Sequence, residues 1–193
     1  KLTKPTGNQN FGAWMRWHLQ EVTRFVDKVA PYYGIEAIVN EGKKQDRYAE
    51  DIIVSGANGE FPAEVLFINT PFFTSWKYSV SPDWAVTVNV RQVSVLQQIQ
   101  SARLLFFWID FQPQIGFNRR IEGGSWVFWN WHDNFVGAIQ RLAPPIHVYN
   151  ERKDADERGD NAGDSYVIDI RKYAIQLSRQ QPLAFFPEEG KAA

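Results

Sequence analysis

The chain has 193 residues, 44% of them hydrophobic, with 8 Trp, 7 Tyr and 14 Phe; this is ample material for one core and excludes an intrinsically disordered chain. Lys and Arg number 21 against 22 Asp and Glu, so no global positive field exists to hold nucleic acid by charge alone. The absence of Cys excludes disulfides and thiolate metal sites and points to a cytoplasmic location, no apolar run reaches the ~18–20 residues of a membrane span, and the polar segment Lys1 to Asn10 does not suit a signal peptide.

Residues 51–149 hold six of the eight Trp but only 13 of the 43 charged residues, which marks them as the buried centre of a single domain spanning 1–193. In chain order, Phe11, Trp14, Met15, Leu19, Val22, Val26 and Val29 recur at helical spacing, with Asn10 as candidate N-cap and Pro31 beyond the end; one face of this helix is buried. Apolar runs at Ile35–Val39, Asp51–Val54 and Ala63–Asn69 predict three strands, the last two joined by a hairpin at Gly56-Ala57-Asn58-Gly59. An aromatic, irregular segment to Pro82 follows, then a strand at Ala85–Val90, a helix around Val93 to Gln100 and a buried strand at Leu104–Ile109. Ser125–Trp129 predicts another strand, and Asn130 is the candidate cap of a helix through Leu142 that Pro144-Pro145 stops. A C-terminal addition, 143–193, contains a charged surface loop at Glu151 to Ser165, a strand at Tyr166–Ile170 and a short helix at Ile175 to Leu177. The expected class is mixed α/β, with a later strand parallel to one of the first three.

Asp51 opens one predicted strand, and Glu64 stands near the start of the next, thirteen positions on and across the hairpin. Two carboxylates converging there would form a hard oxygen site for Mg²⁺ or Mn²⁺, which can orient a water and offset charge on a phosphate. The order helix, strand, Asp-bearing strand, hairpin, acid-bearing strand, helix, strand over residues 11–142 resembles the core of the PD-(D/E)xK, or restriction-endonuclease-like, nuclease superfamily. The segments that carry the resemblance are Tyr48-Ala49-Glu50-Asp51-Ile52-Ile53-Val54 and Ala63-Glu64-Val65-Leu66-Phe67-Ile68-Asn69-Thr70. It implies a mixed sheet flanked by helices, metal-dependent phosphodiester hydrolysis on DNA, Asp51 and Glu64 as metal ligands and catalytic acids, and Glu21 as an accessory helix acid. The Lys that the family carries two positions after the acid is Leu66 here, so Lys77, from the crossover, is the candidate replacement.

Lys43, Lys44, Arg47, Arg119 and Arg120 are candidate phosphate contacts, and Trp76, within the run Phe72 to Tyr78, is a candidate stacking platform for a base. The competing reading is a non-catalytic binding or structural module that uses the Trp-rich stretch Trp126, Trp129 and Trp131 for a protein or glycan partner, or for a homo-oligomeric interface. No phosphate loop, GxGxxG, GxSxG or HExxH motif is present.

Overall fold

The computed structural model describes residues 11–149 and 163–178, apart from residues 45, 47, 48, 58 and 100 and the side chains of Phe11 and Lys44. Asn10, Arg47 and nearly all of the charged loop at 151–165 thus lie outside the described residues. The first element is α1 (Phe11–Arg24), which buries Trp17, Glu21 and Val22. The expected single helix to Val29 changes pitch at Phe25: Phe25–Val29 is a π turn in which Ala30 N–H reaches back to Phe25 O at 2.8 Å, and Pro31, which has no N–H, prevents its continuation.

Strands β1 (Glu36–Val39), β2 (Ile52–Gly56) and β3 (Gly59–Ile68) form an antiparallel meander. Gly56 pairs with Gly59 across the hairpin, and Gly59 takes a φ of +122° that a side chain would disfavour. From Ile68 the chain crosses over through β4 (Ala85–Asn89) and α2 (Val90–Leu96) before β5 (Leu104–Phe111) returns parallel to β3. Parallel neighbours require such a crossover. A short hairpin, β6 (Gln114–Gly116) and β7 (Arg119–Ile121), leads to β8 (Gly124–Trp131), which pairs antiparallel with β5. Helix α3 (His132–Leu142) follows, then β9 (Ile146–His147), β10 (Ser165–Asp169) and β11 (Ile175–Gln176).

The main sheet has the order β1-β2-β3-β5-β8-β11 and is antiparallel except at β3–β5; β4, β10 and β9 form a second sheet. The class is therefore mixed α/β with a mixed sheet, as expected. Strand β5 is buried on both faces: Leu104, Phe106 and Trp108 meet Val22 and Phe25 of the first helical segment, whereas Leu105, Phe107 and Ile109 meet Val93, Leu96, Phe135 and Ile139 of α2 and α3. Among the described residues no helix is long and apolar enough to cross a membrane.

Two expectations are corrected. Ile175-Gln176 is an edge strand against Trp129 and Phe128, because Leu177 N–H bonds Val127 O and draws the segment onto β8. Asn130 stays within β8, where its side chain donates to Tyr173 O at 2.8 Å, and Trp131 takes the N-cap position without a side-chain cap bond. Phe106 is fully buried between the central strand and Phe25, so Phe106→Ala should lower the unfolding free energy by about 3–5 kcal/mol in a denaturant titration; a loss below about 1 kcal/mol would contradict this packing.

Candidate active site

Pairing between β2 and β3 ends at Ile52 and Ala63, while β3 continues to Ile68. The β3 edge beyond Ala63 therefore lacks a strand partner on that side, and the side chain just before β2 supplies one: Asp51 Oδ2 accepts from Val65 N–H at 2.9 Å. Asp51 is 1% exposed. Its other oxygen lies 2.8 Å from His18 Nε2 of α1 and 3.0 Å from Lys43 Nζ, and Lys43 also donates to Ala49 O at 2.6 Å. Burial alone would raise the Asp51 pKa, but the hydrogen bond and charge of His18, the charge of Lys43 and the Val65 N–H outweigh it and hold the carboxyl below its ordinary range.

Burial, and after it the Asp51 charge, pushes the Glu64 carboxyl up to about 8, against the opposing pull of Lys43 and Arg103. A buried carboxyl group near a second negative charge ionises less readily, which is the direction of the Glu64 shift. Arg103 Nη2 bonds Glu50 Oε1 at 2.6 Å, its Nη1 stands 3.6 Å from Glu64 Oε1, and its Nε is the one buried side-chain polar atom without a hydrogen-bond partner among the described residues. The Arg103 backbone is fixed to the β8–α3 junction, since His132 N–H donates to Arg103 O at 3.0 Å.

By strand alternation Glu64 and Leu66 share a face, and both line a cavity of about 400 Å³ together with Lys43, Arg103 and apolar side chains of α2, β5 and α3. The structure thus brings Asp51, Glu64 and Lys43 together. It does not bring Lys77, which is exposed on the turn Ser75–Tyr78 and lines no part of this cavity. The physical reason is strand direction: the chain leaves β3 at Ile68, away from Glu64, and carries Lys77 with it. Lys43 is the lysine that pairs with Asp51 and lines the cavity. Glu21 is buried but turned to Arg24, which bridges it to Asp110 at 3.0 and 2.6 Å; the side chain that α1 extends to Asp51 is His18.

Trp76 and Arg119 also meet, the guanidinium lying 3.6 Å from the ring centroid, but they line no part of the Glu64 cavity. Arg120 pairs with Glu122 on the surface, and Arg47 and the Lys44 side chain lie outside the described residues. In the Trp-rich stretch Trp126 packs on Trp84 at 4.8 Å and Trp131 on Phe61 at 5.4 Å, and Trp126, Trp129 and Trp131 are each half-buried.

Sequence reasoning missed His18, Glu50 and Arg103. His18 had a signal: it lies four residues after Trp14 and four before Val22 on the buried helix face, where a polar side chain needs a partner. Comparison with known proteins returns no match, whether to a family model, a curated protein or a solved structure.

In metal-free solution the raised Glu64 pKa gives a sign to the pH dependence. Its contribution to stability is full below the ordinary value of 4.5 and is lost as pH rises toward about 8. Glu64→Gln removes that loss, so its unfolding free energy relative to the wild type should rise between pH 4.5 and 8; a flat difference across this window would contradict the raised Glu64 pKa. Asp51 has the opposite sign, its contribution being lost as pH falls below the usual carboxylate range.

Proposed function

We propose that the chain is a divalent-metal-dependent phosphodiester hydrolase of the restriction-endonuclease-like kind, acting on DNA. The observation that carries this reading is the convergence on Lys43 of two carboxyl groups, Asp51 at 3.0 Å just before β2 and Glu64 on β3 lining one cavity with Lys43, in a sheet where β3 runs parallel to β5. The helix–meander–crossover–parallel-strand order supports the fold assignment over residues 11–142.

The donor set fits a hard cation. Mg²⁺ is ordinarily bound by one or two carboxylates, with water and substrate phosphate completing the shell; among the described residues no group of three or more His, Asp or Glu side chains is placed to hold an ion. Asp51 and Glu64 would hold the ion, whose chemistry when bound is to offset phosphate charge and acidify a water. The proton that Glu64 retains marks where positive charge is wanted between the two carboxyl groups.

The remaining roles belong to the chain's own groups. His18 Nε2 fixes Asp51, and the imidazole is itself held edge-on to Phe67. Arg103, anchored by Glu50, limits the freedom of Glu64. Lys43 brings an ammonium from the loop before β2 to the place that a Lys at position 66 would serve, where it can pair a non-bridging phosphate oxygen and stabilise charge that grows in the transition state.

The protein should nick supercoiled plasmid DNA with Mg²⁺ or Mn²⁺ and not with a chelator present. Asp51→Asn should abolish cleavage, and Lys43→Met should reduce its rate by about 10²–10³ without weakening Mn²⁺ binding. Equal nicking by the wild type and Asp51→Asn would overturn the assignment. Metal-independent DNA binding without cleavage would instead favour a non-catalytic descendant of the fold, consistent with Leu66 in place of Lys.

A further inference from the structure

The cavity beside Glu64 is larger and more apolar than two metal ligands and a phosphate require. Its polar groups, Lys43, Glu64 and Arg103, belong to the candidate site, whereas Leu66, Leu105, Phe107 and Phe135 form an apolar interior roofed by α2. About 400 Å³ is within the range of sites that enclose a small organic group (roughly 300–1,000 Å³); Phe107 and Phe135 form its buried floor, and the apolar surface open to a ligand is Leu66, Val95 and Ile99. A sugar-phosphate backbone alone does not match such walls. A planar, weakly polar group does, because its faces can lie on these aliphatic side chains.

The charged end indicates what that group is attached to. Arg103 bonds Glu50 on one side, yet its Nε has no partner and its Nη1 is 3.6 Å from Glu64, beyond hydrogen-bonding distance. The Arg103 guanidinium and the Lys43 ammonium both line the cavity's polar end, where two cations favour an oxyanion.

We propose that this cavity receives one unstacked base of the nucleic-acid substrate, with the adjoining phosphate between Lys43 and Arg103. The proposal rests on the phosphodiesterase reading and narrows it: the substrate is unpaired at the site, as in a single strand, a mismatch or a frayed end. Unpairing a base in intact duplex costs a few kcal/mol, and the cost is least where it is already unpaired. Entry is controlled from α2, where Gln92 and Val95 line the cavity and are exposed.

The test is equilibrium binding, with Ca²⁺ in place of Mg²⁺, of three oligonucleotides of one sequence carrying 2-aminopurine: single-stranded, mismatched and fully paired. The wild type should bind the first two at least tenfold more tightly than the duplex, and Val95→Trp, which narrows the mouth from an exposed helix position, should remove the preference. Gln92→Trp, at a second exposed rim position, should act likewise and guards against misfolding of either variant. Preference for the paired duplex, or a preference unchanged in both folded variants, overturns the proposal while leaving the phosphodiesterase reading intact. Failure of the wild type to bind any of the three overturns both. Thymidine monophosphate serves as a further arm: competition with the single strand supports recognition of one nucleotide unit, and its failure to compete at millimolar concentration counts against the cavity as the base site.

Discussion

The architecture around the candidate site depends on one buried carboxylate. Asp51 is almost wholly withdrawn from water, and an isolated charge in that position would cost several kcal/mol. It is tolerated because three segments converge on it: α1 through His18, the loop before β2 through Lys43, and β3 through the Val65 N–H. The same contacts set the position of the first helix against the end of the meander. They also fix the one place where β3 projects beyond its antiparallel neighbour, and so where an open strand edge lies beside a polar cluster.

Charge balance around this anchor explains the different behaviour of the two acids. Asp51 collects the hydrogen bonds and the nearest cation and stays ionised; Glu64 faces that negative charge and keeps its proton toward neutrality. Arg103 does not neutralise Glu64, because its shorter contact is with Glu50. The cluster is consequently short of positive charge at one point, between the two carboxyl groups. On the proposed reading a hard cation would sit there, beside the apolar cavity that Glu64 lines.

Much of the fold was legible in local pattern. The Gly56 to Gly59 turn sets the hairpin register and therefore carries Asp51 to Glu64, and the continuous run Leu104–Ile109 announces a strand buried on both faces. What escaped was non-local. The pairing of β4 with β10 joins segments far apart in the chain, and Ile175-Gln176 is too short to show a period before β8 claims it. The same limit applies to the site. The two acids lie on patterned strands and could be found; Lys43 lies in a loop, where a basic residue resembles any solvated one, and only the three-dimensional path brings it to Asp51. Lys77 lies away from the Glu64 cavity because the chain exits at the other end of β3, which sequence distance from Glu64 does not reveal.

The central claim is that Asp51 and Glu64 share one cation. Anomalous diffraction from a crystal grown with Mn²⁺ addresses it without reference to activity. The account predicts a single strong peak within about 2.0–2.4 Å of an oxygen from each carboxyl group, with Lys43 displaced from Asp51. A saturating Mn²⁺ concentration that leaves no peak between them, or places the ion elsewhere, would contradict it.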